Sequence, residues 1–166
     1  MAKSISFDTG VEEYEVNGGQ AMLRFNPTDP GLFARILDLQ GVIAGFEQRY
    51  ADLEGKVTGE QDEHGFPIGA DTVAQAMRQM DIELKEELRT VFGQGNDFDA
   101  IFGHMSALAI TDTGNSIVGN FLEAVVPLIE GNMDEREKIV AKVQQAKQKA
   151  AQNRAQRRAS GHGGKR

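Results

Sequence analysis

The sequence predicts a mainly helical α+β protein, with a small N-terminal antiparallel β-meander packed on a helical bundle and a long basic C-terminal helix with a disordered tail. Three observations support this fold class. Short alternating apolar runs flank turn residues near the N-terminus, apolar residues recur at helical spacing through the middle, and basic residues concentrate at the end.

Three short runs near the N-terminus alternate apolar and polar residues, as half-buried strands do. They are residues 5–7, 14–16 and, more loosely, 22–25. Asn17 and Gly18 suit the positive φ angles of a tight hairpin turn, and Thr9-Gly10 is a second turn candidate. These runs predict the meander.

A strongly patterned helix is predicted next. Asp29 suits the N-cap position, where its carboxylate accepts hydrogen bonds from free backbone N–H groups, and Pro30 supplies the φ angle of the first turn. Apolar residues then recur at alternating spacings of four and three, so that the helix buries one narrow face, and it should end near Gly55. The stripe consists of Leu32, Ile36, Leu39, Ile43, Phe46, Tyr50 and Leu53.

Further apolar residues widen this face. Such a stripe is more often the core of a protein's own helical hairpin than a binding surface. Phe33, Leu37 and Val42, however, broaden it enough for one side to meet the second helix while another receives a partner. The predicted partner-binding residues are Leu32, Phe33, Ile36, Leu37, Leu39, Val42, Ile43 and Phe46, together with Arg154, Arg157 and Arg158 near the C-terminus.

The remaining elements are predicted from caps, breakers and periodicity. Residues 55–69 read as a solvated loop, and Asp71 or Thr72 should cap a second helix that returns along the first. A short segment at 98–102 packs its aromatic residues nearby, and Asn115 or Ser116 opens a third long helix. Pro127 should kink the third helix or end it early, and Gly131 should stop it. Asp134 should then start a last helix.

The charge divides the chain into two parts. Residues 134–166 contain ten basic and three acidic residues, a balance of +7, whereas residues 1–133 contain eight basic and 22 acidic residues, a balance of −14. We therefore expect an acidic α+β domain at 1–133 and a basic helix with a flexible tail at 134–166. Docking of the basic part on the acidic part of another copy would favour self-association at low salt.

Composition limits the classes of function. The absence of cysteine excludes disulfides, thiol nucleophiles and cysteine metal sites. No apolar run is long enough to span a bilayer, and the N-terminus lacks the layout of a signal peptide, so we expect a cytoplasmic protein.

Several strings of residues resemble catalytic or ligand sites but lack their full patterns. The acidic loop around His64 lacks the ordered spacing of a calcium site, and residues 92–96 lack the lysine of a phosphate loop and follow a helix. Asp112-Thr113-Gly114 fits a turn better than a protease site, and the basic tail has no aromatic residue for stacking on nucleic acid bases. We predict no catalytic residue, no metal and no cofactor.

Two segments resemble a known family, the tail assembly chaperones of long-tailed phages of Gram-positive bacteria. The N-terminal segment comprises Ser6-Phe7-Asp8-Thr9-Gly10, Tyr14-Glu15-Val16-Asn17-Gly18, Phe25-Asn26-Pro27-Thr28-Asp29-Pro30 and Phe33. The second, Val91-Phe92-Gly93-Gln94-Gly95 followed by Ile101-Phe102-Gly103, looks like the family's Phe-Gly segment. None of these motifs carries chemistry.

The resemblance implies a non-catalytic chaperone that binds the tape measure protein and helps the tail tube protein to assemble, in the host cytoplasm and outside the mature virion. Two alternatives stay open. One is a structural tail or head-completion protein of the virion, and the other, with less support, is an accessory protein that binds nucleic acid through the basic tail.

Overall fold

The computed structural model describes residues 2–160, and for part of the stretch beyond residue 132 it describes the backbone alone. The predicted class, α+β and mainly helical, is confirmed. The elements are β1 (Glu12–Val16), β2 (Ala21–Phe25), α1 (Pro30–Glu54), α2 (Ala70–Phe92), α3 (Phe98–Ile101) and α4 (Ile117–Ser160).

β1 and β2 form an antiparallel hairpin, with Tyr14 opposite Leu23. The predicted turn is confirmed, because Asn17 and Gly18 adopt φ angles of 48° and 76° between the strands. The third strand of the predicted meander is wrong, since residues 5–7 have no regular structure. Ile5 is 87% exposed and Phe7 is 77% exposed, so this run has no apolar surface to cover it as a strand.

α1 and α2 form the predicted helical hairpin. The Asp29 carboxylate accepts a hydrogen bond from the N–H of Gly31 at 2.8 Å, and Gly55 caps the end of α1, both as expected. α2 starts earlier than expected, because Gly69 adopts a left-handed φ of 87° and serves as its N-cap. The predicted cap at Asp71 or Thr72 is therefore wrong, and Asp71 lies in the first turn, where its charge complements the helix dipole.

The core lies between this helical hairpin, the strands and the first turns of α4. The stripe of α1 packs against apolar residues of α2, and a group of aromatic rings continues the core towards α3. Phe92 occupies the middle of that group, with ring centroids of Phe25, Phe98 and Phe121 at 5.7, 6.0 and 5.4 Å. The predicted packing of the short aromatic segment is confirmed, since Phe98 and Phe102 are buried.

α4 begins where the sequence predicts, with the Ser116 hydroxyl accepting a hydrogen bond from the N–H of Gly119 at 3.2 Å. It then continues through Pro127 and Gly131 to Ser160, so the predicted stop at Gly131 and the separate helix from Asp134 are wrong. One glycine in a helix costs only about 1 kcal/mol relative to alanine, which is too little to end a helix by itself. The segment that we predict to be disordered is 160–164. Ser160 is instead the last residue of α4, and the rest of the segment lies outside the described residues.

Leu84→Ala should lower the free energy of unfolding by about 3 kcal/mol, because the Leu84 side chain is fully buried and its removal leaves a cavity in the core. Urea denaturation followed by circular dichroism measures the change. The matched control is Ile82→Ala on the same helix, whose side chain is 54% exposed and whose loss should cost less than about 0.5 kcal/mol. Equal losses for the two variants would contradict the orientation of α2.

Candidate partner-binding groove

A buried lysine attaches the segment before α4 to the helical hairpin. The Lys85 side chain is 4% exposed, and its ammonium donates hydrogen bonds to Asp81 at 2.7 Å, to Asp99 at 2.8 Å and to the carbonyl of Met105 at 3.0 Å. Burial lowers the pKa of Lys85, but the hydrogen bonds to the two carboxylates outweigh burial and leave the pKa above its ordinary value. Lys85 is therefore a fixed positive charge.

The same network extends to α4. The second carboxylate oxygen of Asp81 accepts a hydrogen bond from the N–H of Ala107 at 2.7 Å. The carbonyl of Ala107 in turn accepts from the N–H of Val118, and that of Ala109 from the N–H of Ile117, each at 2.9 Å. Because one short segment is bonded to α2 on one side and to α4 on the other, the start of α4 has a defined position beside the hairpin.

A groove of about 440 Å³ lies between α1 and α4. Ile43 and Leu122 are buried and form its apolar floor, while Glu47 of α1 and Glu123 of α4 are exposed and place carboxylates along its sides. The lining residues are Gln40, Ile43, Ala44 and Glu47 from α1 and Gly119, Leu122, Glu123, Val126 and Pro127 from α4. An apolar floor between two helices with acidic sides suits an amphipathic helix that carries positive charge.

Two of the predicted flanking residues extend this groove. At about 100° per residue, Phe33 and Leu37 lie on the same side of α1 as Ala44. Phe33 is half-buried and Leu37 is 52% exposed, so apolar surface continues from the groove towards the start of α1. Val42 is also exposed but lies on the opposite side of the buried stripe, facing away from the groove.

Pro127 lies in the α4 wall of the groove and interrupts the helical hydrogen bonding there. Proline has no N–H, so the carbonyl four residues earlier, that of Glu123, lacks its usual helical donor. Both Glu123 and Pro127 line the groove, so the irregular turn lies in the α4 wall.

The structure places the predicted partner-binding residues in different environments. Leu32, Ile36, Leu39, Ile43 and Phe46 are buried in the core, and of these Ile43 also lines the groove. A partner can reach Leu37 and Val42 directly and Phe33 in part. The side chains of Arg154, Arg157 and Arg158 lie outside the described residues.

Sequence reasoning missed the second wall of the groove. That wall belongs to α4, more than 70 residues after the first wall, so no local periodicity links the two. A proline inside an otherwise helical pattern was the available signal, and Pro127 does lie in the wall.

The strings that resemble catalytic sites have structural roles in the described part of the chain. The Asp62 carboxylate accepts hydrogen bonds from the N–H groups of His64 and Phe66, each at 2.9 Å, and so shapes the acidic loop. The Asn96 side chain bonds to both backbone groups of Arg24 and thereby holds the glycine-rich turn against β2. Among the side chains that the structure describes, no group of three or more histidine or acidic residues is suited to a metal ion.

A second cavity, of about 570 Å³, lies between the hairpin turn and the loop before α4. Phe102 and Phe121 line it, and the exposed side chains of Met105 and Ile110 border it. Its walls come largely from loops and turns, whereas two helices bound the groove. The groove therefore has the better geometry for a helical partner.

Comparisons of the chain with protein-family models, curated proteins and solved structures found no match. None of the described helices combines the length and apolar content that crossing a bilayer requires.

Lys85→Met should lower the free energy of unfolding by about 3 kcal/mol near neutral pH, because it leaves the Asp81 carboxylate and the Met105 carbonyl without their buried donor. Chemical denaturation measures the loss. Lys56→Met, which removes an exposed lysine, is the control and should cost less than about 0.5 kcal/mol. A neutral result for Lys85→Met would show that the network does not hold the segment before α4.

The same variant should change how stability depends on pH. The hydrogen bond from Lys85 holds the pKa of Asp99 below its ordinary value of 3.8. The ionised Asp99 carboxylate therefore contributes to the free energy of unfolding. The contribution is complete above the unfolded-state pKa and is lost as the pH falls below 3.8 through the folded-state pKa. The difference in unfolding free energy between the wild type and Lys85→Met should therefore narrow over that acidic range. A difference that stays constant with pH would contradict the assignment.

Proposed function

We propose that the protein is a non-catalytic tail assembly chaperone that binds the tape measure protein of a long-tailed phage in the host cytoplasm. The observation that carries the proposal is the groove between α1 and α4, with its apolar floor and open apolar extension at Leu37. The resemblance of the N-terminal segment and of the Phe-Gly segment to tail assembly chaperones supplies the identity of the client.

The groove suits the chemistry of such a client. A tape measure protein is a long helical chain whose apolar seams need cover before tube subunits surround it. A helix laid between α1 and α4 would bury its seam on Ile43, Leu122 and Val126 while its polar side faces the solvent. The binding needs no cofactor and no bond-breaking step.

The groove is also suited to release. It is small, and its sides carry exposed carboxylates among other residues and do not form a closed apolar wall. Exposed charges contribute little affinity at physiological salt, so the complex should be weak enough for the tail tube protein to displace the chaperone. The chaperone would then be left behind when the tail is complete.

Leu37→Asp should weaken binding of the tape measure protein at least about tenfold, because a carboxylate on the apolar extension must lose water when the client helix docks. The measurement is co-expression with the tape measure protein of the same phage, followed by pull-down from the soluble fraction and titration of the purified complex.

Val42→Asp is the matched control, since Val42 is also exposed on α1 but on the side away from the groove. It should keep soluble client at the wild-type level. A client that stays insoluble and unbound with the wild-type chain would contradict the proposed function. Unchanged binding with both variants would instead place the client elsewhere on the surface.

A further inference from the structure

The C-terminal part of α4 forms a basic arm, which we define as residues 134–160. It continues α4 beyond Ile129, a core residue, as unbroken helix to Ser160. At 1.5 Å per residue, the arm alone is about 40 Å long. No acidic residue follows Glu137, and every charged residue in the rest of the arm is therefore basic.

The arm has the pattern of a basic amphipathic helix. Lys138, Lys142 and Lys149 are exposed, and their spacings of four and seven place them on one face. In the sequence the residue directly after each of these lysines is small or apolar, so these residues repeat the spacings of four and seven. These residues are Ile139, Val143 and Ala150, and Ala146 fills the intermediate position. A narrow apolar stripe with lysines along one edge is thus encoded next to the exposed charges.

The groove between α1 and α4 has the complementary pattern. Its floor is apolar, and Glu47 and Glu123 stand on its two sides. The preceding domain, residues 1–133, carries a formal charge of −14. The arm and the groove therefore match in apolar surface and in the sign of charge.

The arm cannot reach the groove of its own chain. The first turns of α4 form one wall of that groove, and the same helix runs on without interruption into the arm. Folding back would require several helical turns to unwind. A second copy has no such restriction, so the complementary partner is another molecule of the same chain.

We propose that the basic arm of one copy docks in the α1–α4 groove of another copy when no client is present. The contact joins two different surfaces, the arm of one copy and the groove of another. If two copies exchange arms, the assembly closes as a dimer, and otherwise it grows from copy to copy. It goes beyond the proposed function, because it involves this chain alone. It also implies that the arm covers the apolar floor of the groove until another helix displaces it.

The first test measures the mass of the full chain in solution after nuclease treatment, at about 50 mM and at about 500 mM salt. We expect at least twice the 18.1 kDa of one chain at low salt and the single-chain mass at high salt, because salt screens exposed charges. A single-chain mass at low salt would overturn the proposal. A large mass that disappears on nuclease treatment would also overturn it, since nucleic acid would then bridge the copies.

Charge exchange provides the decisive test. One variant reverses the arm with Lys138→Glu, Lys142→Glu and Lys149→Glu, and the other reverses the groove with Glu47→Lys and Glu123→Lys. Each variant alone should associate about tenfold more weakly than the wild type, because attraction becomes repulsion at the contact. An equimolar mixture of the two should recover association, since each native arm then meets a native groove.

The control variant, Glu60→Lys with Glu63→Lys, makes the same change in net charge as the groove variant but in the exposed acidic loop. It should associate like the wild type. If it loses association to the same extent as the groove variant, or if the mixture fails to recover, the contact is not arm to groove. Because the client is absent from every measurement, these results are independent of client binding.

Discussion

The position of α4 depends on one buried ion pair network. Lys85 and Asp81, one turn apart on α2, bond to the backbone at Met105 and Ala107, and Ala107 bonds to the first turn of α4. An unpaired lysine at this depth would be strongly unfavourable, so the carboxylates of Asp81 and Asp99 stabilise the packing of the Met105–Ala107 segment against α2. Together with the core packing of Leu122 and Ile129, this network places the start of α4 so that the groove lies between it and α1.

The surface of α1 is divided between stability and contact. Its central stripe is used by the core of the protein itself, which leaves the flanks for other molecules. On one flank Leu37 and Ala44 lead into the groove, and on the other Arg49 pairs with Glu83 of α2 at 3.0 Å. The apolar face of α1 is wider than its packing against α2 requires. It can therefore both form the core and offer an apolar flank to another molecule without a change of conformation.

The sequence was informative where structure is local. The stripe of α1, the Asp29 cap and the Asn17-Gly18 turn each depend on residues within a few positions, and each was predicted. The burial of Lys85 was not predictable, because Asp99 and the carbonyl of Met105 lie 14 and 20 residues away. The break at Gly131 was expected from composition, yet a single glycine does not outweigh the propensity of the residues around it.

The contact between Asn96 and β2 has a consequence for aggregation. A two-stranded sheet has two open edges, and an open edge is a template onto which strands of other molecules can add. The Asn96 amide accepts from the N–H of Arg24 at 2.7 Å and donates to its carbonyl at 2.8 Å, as a neighbouring strand would. On the other edge, β1 carries Glu12, Glu13 and Glu15, whose charges disfavour an incoming strand. The hairpin is thereby protected against amyloid-like growth by one asparagine and three glutamates.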